Sequence, residues 1–98
     1  MARLKYSTRA RDDLDRLVEF LEQAAPDSAP DALDGILRAL EALADHPHLG
    51  RRVDETPLRE LVISRGATAY LALYEVDAAR ELVYVHRIRH QRETGYLD

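Results

Sequence analysis

Apolar residues recur along this chain in two rhythms, and the change from one to the other divides it into a helical first half and a stranded second half. Leu14, Leu17, Val18, Leu21 and Ala25 fall at spacings of 3, 1, 3 and 4, the stripe of a helix with one buried face. Ser7 or Thr8 offers a side-chain oxygen to cap it, and Asp12, Asp13 and Asp15 suit its first turns. Pro26 ends it; Ser28, with Pro30 and Asp31 just inside, starts a second helix. Leu33, Ile36, Leu37, Leu40 and Leu43 make its stripe, which stops at the Asp45-His46-Pro47 breaker. Beyond Pro47 the period becomes two. Gly50 marks a turn, Arg51 to Pro57 reads as polar loop, and Leu58 to Ser64 reads as a strand with Arg59, Leu61 and Ile63 on one side. Arg65-Gly66 turns the chain into a second strand, Ala69 to Val76, and Asp77 to Arg80 connects it to a third, Glu81 to about Arg89.

Two amphipathic helices joined by a few residues cannot bury both stripes against each other, so a sheet has to cover them. The expected fold is α+β: a three-stranded antiparallel meander, joined at one edge by a short strand at Leu4–Tyr6, with a helical hairpin on one face. The order is β-α-α-β-β-β within a single domain spanning residues 1–98. The other, concave face of the sheet stays at least partly open and is a natural place to bind something.

Composition narrows the chemistry. Without cysteine, disulfides, thiolate catalysis and cysteine-based zinc sites are excluded, and a reducing compartment is suited. No apolar run approaches the roughly 18 residues of a membrane span, and the N-terminus lacks an apolar signal core. A soluble, cytoplasmic protein without membrane contact is expected. Residues 1–50 hold 6 Lys/Arg against 10 Asp/Glu, and residues 51–98 hold 8 against 8. An acidic total argues against a protein that coats nucleic acid through many phosphates. The second-half cations are all arginine, and an arginine patch can dock on a shaped target.

That patch lies at the end of the last strand. Val83 and Val85 alternate, and the chain then runs through His86, Arg87, Arg89, His90 and Arg92 around the apolar Ile88. Two readings stand side by side. Arg87, Arg89 and Arg92 either form a solvated edge paired with Glu75, Glu81 and Glu93, or they belong to a site. Ribonucleolytic chemistry, one option that the chain's family resemblance implies, needs a base, an acid and cations on the phosphate. His90 can be base or acid, Arg59, Arg65, Arg87 or Arg92 the cations, and Tyr96 a proton donor or stacking ring. His90 as a structural hydrogen-bonder is the plainer alternative. His86 reads as a packing residue. His46 and His48 lack a third metal ligand, so neither metal nor cofactor is expected. Tyr70 and Tyr74 share a strand face that either stacks bases or packs under a helix. The carboxylates Asp12, Asp13, Asp15, Glu19 and Glu22 read as solvated helix surface or as a docking face for a basic segment. Gly50, Gly66 and Gly95 lack phosphate-loop spacing.

The sequence resembles the RelE/ParE superfamily of type II toxin–antitoxin toxins. The resemblance rests on YSTRARDDL opening the first helix, Pro47-x-x-Gly50, Leu58-Arg59-x-Leu61, Tyr70-x-x-x-Tyr74 and the closing Ile88-x-His90-x-Arg92. It implies the fold just described and a cognate antitoxin that wraps the toxin in a hetero-oligomer and masks its active surface. It also implies one of two activities: cleavage of messenger RNA in the ribosome, or poisoning of DNA gyrase without a hydrolytic site. The His90-x-Arg92 ending and the long helical hairpin are more similar to the ParE, plasmid-stabilisation branch, and Lys5 is the only lysine where RelE-like nucleases are lysine-rich. A gyrase inhibitor with Arg59, Arg65, Arg87, Arg89 and Arg92 on its target-binding surface is therefore the first expectation. A ribosome-dependent endoribonuclease with His90, Arg92 and Tyr96 as catalysts is the second. A degenerate, non-toxic member acting in autorepression is the third.

Overall fold

The computed structural model describes residues 2–92. Its elements are β1 (Arg3–Tyr6), α1 (Thr8–Ala24), α2 (Ala29–Glu41) with a short 3-10 turn at Ala42–Ala44, β2 (Arg51–Arg52), β3 (Leu58–Arg65), β4 (Thr68–Asp77) and β5 (Leu82–His90). The expected α+β order is present. The strands form one sheet in the order β1-β5-β4-β3-β2, with β3, β4 and β5 an antiparallel meander and β1 parallel to β5. Arg51 and Arg52 are not loop: they pair with Glu60 and Arg59, and a 2.7 Å ion pair from Arg51 to Glu60 fastens this two-residue edge.

Each boundary has a local cause. Ser7, not Thr8, caps α1: its hydroxyl oxygen accepts from the Ala10 N–H at 2.9 Å and donates to the His86 carbonyl at 2.7 Å, tying the helix start to β5. Ser28 precedes α2 as expected but makes no side-chain cap bond; Pro30 just inside α2 supplies the pre-set φ instead. Gly66, at φ 57°, takes the first central position of the β3–β4 turn, where a side chain would be strained.

The helices cover one face of the sheet. Leu17, Ile36, Leu40 and Leu43 meet Leu61, Ile63, Tyr70, Ala72 and Tyr74 from β3 and β4 and Val83, Val85 and Ile88 from β5. Tyr74 is fully buried, yet its hydroxyl is satisfied: it accepts from the Gly50 N–H and donates to the Pro47 carbonyl, both at 2.8 Å. Burial pushes that hydroxyl's pKa up, partly opposed by the Gly50 N–H. A methyl group at residue 50 would lie 2.7 Å from the Tyr74 ring and 2.8 Å from the Glu60 carbonyl oxygen, so the Pro47-x-x-Gly50 break requires glycine for close approach. Among the described residues no helix is long and apolar enough to cross a membrane.

Candidate functional site

One extra residue in β5 decides where the basic cluster goes. Tyr74 opposes Val85 and Leu73 opposes Arg87, so His86 is unmatched and the strand is bulged there. Strict alternation from Val83 and Val85 would send Arg87 and Arg89 to the core and Ile88 to the open face. With the bulge, Ile88 is fully buried and Arg87 and Arg89 leave the core side of the strand. His90 returns to the helical side.

Arg87 is then captured at the strand edge. β1 pairs with β5 only from Leu82 to Val85, so the later edge of β5 needs another partner. Asp13 of α1 supplies it: its carboxylate accepts from the Ile88 N–H at 2.8 Å, from Arg87 Nε at 3.0 Å and from Arg16 at 3.0 Å. Asp13 is 2% exposed, so it is not solvated helix surface. Burial alone would raise its pKa, but the Arg87 guanidinium, the Ile88 N–H and Arg16 together hold it below the usual carboxylate range. Arg87 meets Asp13, and Glu75 meets His86 at 3.1 Å; Glu93, another expected partner of this cluster, lies outside the described residues.

Arg59 is also committed. Its guanidinium donates to the Gly50 carbonyl at 2.8 Å, holding the loop that Tyr74 anchors. Arg65, His90 and Arg92 do come together, on a groove of about 1070 Å³ between the C-terminal half of α1 and the far ends of β3, β4 and β5. Leu17, Phe20, Leu21 and Tyr70 give it an apolar floor, and Arg16, Arg65 and Arg92 give it a cationic rim. Among the described residues no carboxylate lines it. Phe20 is 54% exposed here. The His90 ring stands edge-on to Tyr70 at 5.3 Å and tilted to Phe20 at 6.3 Å, while its Nδ1 accepts from the Arg92 N–H at 3.1 Å. A neutral His90 in this arrangement carries its proton on Nε2. Tyr96 lies outside the described residues.

Three contributors were not singled out by the sequence reading. Phe20 lies off the apolar stripe of α1, which is the signal that could have exposed it. Arg16 was one of many helix charges. Gly35 matters because a Cβ there would meet the Arg65 guanidinium at 2.5 Å, so its bareness lets Arg65 lie across α2 at the groove's edge.

The family of the "ParE toxin of type II toxin-antitoxin system, parDE" matches residues 4–95. The chain belongs to this toxin family. Within the wider RelE/ParE superfamily its relatives carry both branch names. Toxin RelE3 of Caulobacter vibrioides is 41% identical over 93 residues, covering 95% of this chain and 98% of that toxin. Toxin RelE2 of the same organism is 34% identical over 90 residues, 92% and 96% of the two chains. A chain of the chromosomal ParDE TA system from P. aeruginosa has the same fold, with a TM-score of 0.76 and 22% identity over 92% of this chain and 96% of that one. The chain is thus the toxin component of a type II toxin–antitoxin system.

Proposed function

We propose that this toxin acts by binding a protein, DNA gyrase, rather than by hydrolysing RNA, and that a cognate antitoxin neutralises it. The observation that carries the reading is the dispersal of the basic cluster. Phosphodiester cleavage needs cations converging on one phosphate beside an acid–base pair. Here Arg87 is held by Asp13 and Arg59 by the Gly50 carbonyl, while Arg89 lies on the other face of β5 from His90. His90 packs between two aromatic rings with Nδ1 already accepting a backbone N–H. An apolar floor with a cationic rim suits an acidic, amphipathic protein segment, and an antitoxin segment of that kind would fill the groove. The purified protein is expected to inhibit supercoiling by purified gyrase and to leave messages intact in a translating extract. Intact supercoiling with cleaved messages would refute the reading.

One observation favours the ribonuclease alternative: Arg65, His90 and Arg92 do share the groove with Tyr70. On that reading His90→Ala keeps the fold and abolishes message cleavage. On ours, His90→Ala leaves no cleavage to lose.

A further inference from the structure

Gly35 lies in the interior of α2, where glycine costs more than any residue but proline because it gives up the most backbone freedom. The backbone there does not use that freedom, since Gly66 alone among the described glycines takes a positive φ. What the bare Cα allows is contact. Arg65 continues the side of β3 that carries Leu61 and Ile63 toward the helices. Its guanidinium lies over α2 so closely that a methyl group at residue 35 would stand 2.5 Å from Nη1 and 3.5 Å from Cδ and Cζ. The backbone beneath this side chain is fixed as well: Arg65 pairs with Thr68 at the end of the β3–β4 ladder, and the Thr68 hydroxyl donates to the Arg65 carbonyl at 3.0 Å. A helix interior and a hairpin end thus seat one guanidinium between them.

That guanidinium is not matched by a carboxylate. α1 and α2 hold eight carboxylates against four arginines, yet none of the eight lines the groove. Asp34, the chain neighbour of Gly35, is taken by Arg38 at 3.1 Å. Among the described residues Arg65 makes no ion pair. It stays exposed, at the edge of a groove whose floor includes Leu17, Leu21 and Ala32. A planar guanidinium held at the rim of aliphatic surface is complementary to a carboxylate carried on an amphipathic protein segment.

We infer that Gly35 is a positioning residue for antitoxin recognition: it seats Arg65 where the guanidinium takes a carboxylate from the acidic, amphipathic segment of the cognate antitoxin. The inference rests on the reading that such a segment fills the groove, and it is independent of whether gyrase is the target. Arg65 touches the antitoxin, and Gly35 acts only through Arg65. α2 gives up helix stability at one position, and one cation of the groove gains a fixed place.

Gly35→Ala, Arg65→Gln and the double variant, each titrated calorimetrically with the cognate antitoxin, test this. Arg65→Gln is expected to raise Kd about tenfold or more, and Gly35→Ala about fivefold, because the guanidinium has to leave its seat. In the Arg65→Gln background Gly35→Ala should change Kd by less than about twofold. The far end of a flexible side chain moves aside without strain, so Gly35→Ala should raise the thermal midpoint by about 2–8 °C. Weaker binding by a more stable toxin is the expected signature. Wild-type affinity in Gly35→Ala would overturn the inference. So would an equal effect of Gly35→Ala with and without Arg65, which would put residue 35 itself against the antitoxin, and so would a lowered thermal midpoint, which would give the glycine to helix packing. Phe20→Ala tests the underlying reading separately. If it weakens binding while Arg65→Gln does not, the groove holds the antitoxin and only the inference falls. If neither changes Kd, the antitoxin binds elsewhere and both fall. Message cleavage lost in Gly35→Ala and Arg65→Gln, with antitoxin affinity unchanged, would assign the guanidinium to a phosphate and also overturn it.

Discussion

Asp13 does at one residue what a sixth strand would otherwise do along an edge. A carboxylate carries acceptor capacity for several donors, so it can take a strand N–H and a guanidinium at once. Removing it leaves the Arg87 charge buried, at 12% exposure, without its carboxylate, and the Ile88 N–H loses its partner. Asp13→Ala is expected to cost about 3 kcal/mol, a fall in thermal midpoint on the order of 12–24 °C, read by circular dichroism. The same carboxylate makes stability pH-dependent in a definite direction. Its folded pKa is depressed, so its contribution is fully present above the ordinary aspartate range and is lost as pH falls through that range toward the lower folded value. Urea midpoints measured downward from pH 5 should fall in the wild type and fall less in Asp13→Asn. Tyr74→Phe strands the buried Gly50 N–H and takes the donor from the Pro47 carbonyl, at a cost of about 1–3 kcal/mol, measurable by urea denaturation.

At the scale of elements, the helices and the meander were legible because their signals are local. Stripes at helical spacing, the Pro26 and Pro47 breaks and the Arg65-Gly66 turn are each written within a few residues. What escaped was set by non-local partners. Strand β2 exists because Glu60 and Arg59 lie opposite Arg51 and Arg52, and nothing in the Arg51–Pro57 segment announces it. The bulge had a faint sequence trace: Val85 and Ile88 are three apart, and both can reach one core only if the strand gains a residue. Asp13 was read as solvent-facing because it sits among Asp12 and Asp15, and a helix does not reveal which of its charges meets a strand edge. The bulge makes a strong prediction. Deleting His86 removes the extra residue, keeps Val85 and Ile88 facing the core and Arg87 facing out, and should preserve a cooperative thermal transition.

For the whole molecule, the bulge turns one basic run in the sequence into two surfaces. Arg65, His90 and Arg92 face an apolar groove beside Phe20, and Arg89 faces the open side of the sheet. In three dimensions the arginines grouped by the sequence reading divide between the groove and the open side of the sheet. Their family context held, over residues 4–95. The acidic helical layer and the cationic sheet give the toxin a charge asymmetry that should make its association with an anionic partner strongly salt-dependent. Gyrase inhibition should weaken several-fold between about 50 and 200 mM salt.

Toxicity by binding a protein and toxicity by cutting RNA leave different traces in the cell. Inducible expression without an antitoxin, scoring growth, plasmid supercoiling and message integrity in the same cells, separates them most directly. Gyrase binding is expected to give growth arrest with altered supercoiling and intact messages. Arrest with normal supercoiling and messages cut on the ribosome would contradict it.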